Sequence, residues 1–101
     1  MPCSTESDWF VYLIRTRYDS LYCGITNHLI RRFDQHQQGK GARALRGKGP
    51  LHMEWFQVVE SKSDALRLEA FIKRKPKIYK EALVAEQHGV DLVNVLNNNK
   101  K

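Results

Sequence analysis

A chain of 101 residues with a formal net charge of +6 has room for one hydrophobic core, and its excess of cations points to a polyanionic partner such as nucleic acid. No apolar run approaches the roughly 20 residues that a membrane-spanning helix requires, and the polar, acidic start from Met1 to Asp8 lacks the basic head and apolar middle of a signal peptide. Cys3 and Cys23 form neither a disulfide framework nor a Cys-x-x-Cys motif, and together with His28 and His36 they match no ordinary zinc spacing, so the expectation is a reduced, cytoplasmic protein.

Residues 1–8 read as a disordered tail. The run Trp9 to Arg15 is β-branched and aromatic throughout, and Thr16 to Ser20 leaves length only for a tight hairpin before the second strand, Leu21 to Ile25. A register pairing Ile14 with Tyr22 and Tyr12 with Gly24 places both tyrosines on one face, with the glycine opening a space beside Tyr12. A slip of one residue would separate them. A helix is expected from Asn27, as N-cap, to Gln38, with Gly39 as the residue that ends it and Leu29, Ile30, Phe33 and Gln37 forming its inward stripe. Arg32 and His36 lie four apart on the edge of that stripe, while Arg31, Asp34 and Gln35 face water, so the tyrosine pair, an arginine and a histidine can converge.

Gly39 to Pro50 alternates glycine with cations. Lys40, Arg43, Arg46 and Lys48 suit a loop that follows a phosphate backbone, and without Gly-Lys-Ser/Thr opening a helix it is no P-loop, so no nucleotide cofactor is expected. Leu51 to Glu60 reads as a third strand whose aromatics belong to the core, with base stacking by Trp55 the lesser alternative. Ser61 and Asp64 suit a capping box, and the helix behind them carries Ala65, Leu66, Glu69, Ile72 and Lys73 on one stripe. A carboxylate there needs a cation, donors or a metal, and Lys73 four residues on is the plainest partner. Pro76 ends this helix at Lys75. A further helix with Tyr79, Ala82, Leu83 and Glu86 runs toward Gly89, a short helical turn covers Asp91 to Leu96, and residues 97–101 are a polar tail. The expected architecture is α+β, a three-stranded antiparallel sheet flanked by helices in the order ββαβαα, forming a single domain over residues 9–96.

Phe10-Val11-Tyr12, then Tyr22-Cys23-Gly24, then Arg32, His36 and Glu69 in that order resemble the GIY-YIG nuclease domain of small stand-alone bacterial proteins. The resemblance implies a metal-dependent endonuclease acting on DNA in repair or recombination, with a single divalent ion, magnesium or manganese, held by Glu69. It further implies that Tyr12 activates or orients the attacking water, that Tyr22 hydrogen-bonds nearby, that Arg32 clamps the phosphate and that His36 assists proton transfer, with Gly24 as the structural glycine of the second motif. The chain departs from the family pattern in lacking the first motif's Gly and Ile, in carrying Ile25 and Thr26 where excision-repair members have a lysine, and in having Asn94 as its nearest late asparagine. These departures bear on efficiency and substrate range. A small domain offers little surface for reading bases, so weakly specific or structure-selective cutting is expected. The rival expectation is a basic nucleic-acid-binding module with little or no cleavage.

Overall fold

In the computed structural model, which describes residues 8–92 and residue 95, the chain runs through β1 (Trp9–Arg15), β2 (Leu21–Thr26), α1 (Leu29–Gln37), a 3-10 turn (Arg43–Leu45), β3 (His52–Val59), α2 (Lys62–Lys73) and α3 (Lys77–Glu86). The three strands form one antiparallel sheet in the spatial order β2-β1-β3. Central β1 is covered on both faces, which is why its sequence is apolar without alternation. The hairpin closes tightly, with the Thr16 amide donating to the Ser20 carbonyl at 3.0 Å and Asp19 at φ 65°, a left-handed turn position that aspartate tolerates. Register falls as the motif spacing requires, with Tyr12 opposite Gly24 and Ile14 opposite Tyr22.

Two cores lie on opposite faces of this sheet. On one, α2 and α3 pack Ala65, Leu68, Ile72 and Leu83 against Val11, Leu13, Cys23 and Trp55. On the other, Leu29 and Phe33 of α1 and Leu45 and Leu51 of the following segment close over Tyr12, Ile14 and Tyr22. Arg15 fastens the far end, donating to Glu54 on β3 at 3.1 Å, to Asp19 in the hairpin at 2.8 Å and to Glu81 on α3 at 2.7 Å. No helix among the described residues is long and apolar enough to cross a membrane.

Several boundaries and faces differ from the sequence reading. His28, not Asn27, is the N-cap of α1, and its amide is taken by the Thr26 hydroxyl at 3.0 Å, so the turn caps itself one residue later. Gly39 does follow the helix with φ 77°. Ile30 points outward at 81% exposure and Gln37 is exposed, and the buried residue of α1 is His36. On α2, Ser61 caps as expected through the Asp64 amide at 3.1 Å, but the buried stripe is Ala65, Leu68 and Ile72 while Leu66 is exposed. Helix α3 begins after Pro76 and ends at Gln87 in the left-handed conformation rather than at Gly89. The expected turn over Asp91 to Leu96 lies partly outside the described residues; within them, Val95 donates its amide to the Asp91 carbonyl. Both expected tails, apart from Asp8, lie outside them too.

Candidate active site

The hairpin sets the first two groups. Alternation along antiparallel strands brings Tyr12 and Tyr22 to the same face with ring centroids 6.4 Å apart, and the ring of Tyr12 lies over Gly24. A methyl at Gly24 would stand 2.5 Å from the Tyr12 hydroxyl oxygen, so only glycine leaves room there.

Helix α1 adds His36, which is 2% exposed, with its ring 5.9 Å from each tyrosine ring. Its Nε2 meets the Tyr12 hydroxyl at 2.9 Å, while its Nδ1 accepts the Ala42 amide at 3.1 Å. Burial, reinforced by the Arg32 charge, holds the His36 pKa down at about 4, so the ring is neutral at pH 7. Burial raises Tyr12 to about 12, with Tyr22 adding to the rise and the Arg32 guanidinium opposing it. Arg32 is half-buried and steadied by Gln35, whose side-chain oxygen accepts from it at 3.1 Å.

Arg32 also lines an open groove of about 250 Å³ along edge strand β2, together with Trp9, Asn27, His28, Arg31 and Gln35. Sequence reasoning sent Arg31 and Gln35 to water and missed this groove, because it is formed by the end of β2 meeting α1 and not by any single periodic face. Trp9 belongs to one side of the sheet and Arg32 to the other, so the groove passes around the edge strand.

Glu69 is the one site candidate that the structure does not bring against the tyrosines. It sits on α2, across the sheet, 18% exposed at its side chain and 3.2 Å from Lys73 Nζ. On β2 its charge reaches Cys23, whose buried thiol is pushed up to about 12 by burial and by the Glu69 charge. As an oxygen donor Glu69 suits a hard divalent cation, and with no group of three His, Cys, Asp or Glu among the described residues, water and substrate phosphate would have to complete the shell.

The basic segment is more built than a loop. Leu45 is 2% exposed in the core beneath Tyr12 and Ile14, while Lys40, Arg43 and Arg46 are exposed and Lys48 half-buried. Gly41 is packed so closely on the His36 imidazole that an added methyl would overlap the ring. Trp55 is buried and its indole N–H donates to the His88 carbonyl at 3.0 Å, which removes it as a base-stacking platform.

Residues 8–81 match the family described as the GIY-YIG catalytic domain. A UPF0213 protein of Vibrio campbellii is 55% identical over 86 residues, covering 85% of this chain and 83% of that one. One from Vibrio cholerae is 53% identical over 91 residues, with 89% and 90% coverage. The solution NMR structure of a UPF0213 protein from Bacillus halodurans superposes with a TM-score of 0.53 at 34% identity, covering 81% of this chain and 87% of that one.

Proposed function

The chain belongs to the GIY-YIG nuclease superfamily, and from that premise we propose that it is a divalent-metal-dependent endonuclease hydrolysing DNA phosphodiester bonds with weak sequence specificity or structure selectivity, in cytoplasmic repair or recombination. The observation that carries the reading is the convergence of Tyr12, Tyr22, His36 and Arg32 beside Gly24, with Arg32 also lining a cationic groove along an edge strand. A protein that merely bound nucleic acid would need the cations but not a buried tyrosine hydrogen-bonded to a histidine, with a second tyrosine beside it.

Phosphodiester hydrolysis requires an oriented water, neutralisation of charge building on the phosphoryl oxygens and stabilisation of the leaving alkoxide. Ionising Tyr12 at pH 7 from a pKa of about 12 costs about 7 kcal/mol. The hydroxyl therefore acts first as an orienting group, and ionises only as far as bound cations lower that cost. Tyr22 lies beside it on the same face, its ring also against Gly24. Arg32 clamps the phosphate from the α1 side. Glu69, on the α2 side of edge strand β2, would hold the cation, whose charge would neutralise the phosphoryl oxygens and favour departure of the leaving oxygen. His36, buried behind Tyr12, acts through it. Lys40, Arg43, Arg46 and Lys48 supply sequence-independent phosphate contacts.

Supercoiled plasmid and labelled branched, nicked and single-stranded oligonucleotides, each incubated with magnesium, manganese or chelator, test the proposal. Metal-dependent nicking or cutting is expected. Salt-sensitive binding without cleavage in every metal would leave the nucleic-acid-binding module instead.

A further inference from the structure

We infer that the Gly41–Ala42 peptide is a positioning element that fixes the tautomer of His36, and through it the direction of the Tyr12 hydroxyl proton. Its kinetic consequence rests on the endonuclease reading; its structural content does not.

A backbone N–H can only donate. With the Ala42 amide 3.1 Å from Nδ1, that nitrogen must be the bare acceptor, and a neutral imidazole then carries its single proton on Nε2. Nε2–H faces the Tyr12 oxygen at 2.9 Å, so the tyrosine oxygen accepts from the ring and its own proton turns elsewhere. The opposite tautomer would set a ring N–H against the Ala42 N–H in a buried site and leave both without an acceptor. The Tyr12 oxygen also packs against Gly24, the position whose missing side chain leaves room for the hydroxyl. The hydroxyl proton is thus turned away from the histidine.

The seat for this peptide is tight. Gly41 lies against the imidazole with no room for a methyl, and Leu45, buried on the same side of the sheet, anchors the segment a turn later. Lys40 and Arg43 flank the peptide in sequence, so the segment proposed to follow the phosphate backbone also holds the ring behind Tyr12. This makes His36 a positioning residue, and the peptide its holder.

Long-range proton–nitrogen correlation spectra of ¹⁵N-labelled protein at pH 7 read the tautomer directly. His36 is expected to show a protonated Nε2 and a bare Nδ1. A protonated Nδ1, or an averaged pair, overturns the inference whether or not the protein cuts DNA. In Gly41→Ala, kcat is expected to fall at least about tenfold with KM for the best oligonucleotide within about twofold, and the two His36 nitrogens to lose their distinct character. Gly49→Ala, in the same segment where a methyl meets only ordinary contact, is expected to match the parent in both. Parental kcat and a clean tautomer in Gly41→Ala overturn the inference. If that variant does not fold, the parent's spectrum decides alone. If the parent cuts nothing, the endonuclease reading falls while the spectrum still tests the tautomer.

Discussion

The hydroxyl of Tyr12 carries two burdens, because the proposed chemistry uses it and it also takes the buried Nε2–H of His36. Tyr12→Phe keeps the ring over Gly24 but strands that N–H, so stability should fall by about 1–3 kcal/mol, visible in urea unfolding. Cleavage per folded molecule should fall by about 100-fold or more; an undiminished rate would move the role to Tyr22. His36 gives a pH signature. Its folded pKa of about 4 lies below its ordinary 6.5, so its neutral state adds stability above pH 6.5 that is lost as pH falls toward 4, amounting to about 3 kcal/mol in all. Urea midpoints at pH 7 and 4.5 should converge less steeply in His36→Asn than in the parent. Equal slopes would assign the acid sensitivity to other groups.

Among the elements, the segment between α1 and β3 departs furthest from its sequence reading. A glycine and cation alternation reads as a surface loop, which is correct for Lys40, Arg43 and Arg46. The single leucine in it is the signal that it is also anchored, and Leu45→Ala should cost about 2–5 kcal/mol and loosen the floor under Tyr12, measured by thermal unfolding and by cleavage rate. Replacing Lys40, Arg43, Arg46 and Lys48 together by Ala should weaken DNA binding on every sequence and flatten its salt dependence. An unchanged slope would shift the phosphate track to Arg31 and Arg32 in the groove. Strands and helices were legible because their periods are set locally: the hairpin register followed from Tyr12, Gly24 and a five-residue connection. Helix faces were less so. Ile30 reads as inward by its hydrophobicity, yet His36 is the residue buried because Tyr12 and the Ala42 amide satisfy both its nitrogens, a tertiary fact that no spacing contains. Leu66 reads as inward on α2 for the same reason, while Leu68 occupies the face that the sheet covers.

For the whole molecule, a layer of helices on each side of a three-stranded sheet leaves β2 as one open edge, and the proposed site straddles it. Arg32 stands on the α1 layer and Glu69 on the α2 layer, a division by the sheet that the order of residues along the chain does not contain. In the free protein Glu69 pairs with the half-exposed Lys73 at 3.2 Å, a contact worth at most about 1 kcal/mol. A structural role for Glu69 would therefore be small, and a catalytic one large. Measuring magnesium-dependent cleavage by Glu69→Gln, beside its DNA affinity and melting temperature on the same preparation, separates the two most directly. The expected result is loss of cleavage with DNA binding retained or tightened and melting within a few degrees of the parent, about what 1 kcal/mol shifts in a domain this size. Cleavage at the parental rate would contradict the nuclease site drawn across the edge strand.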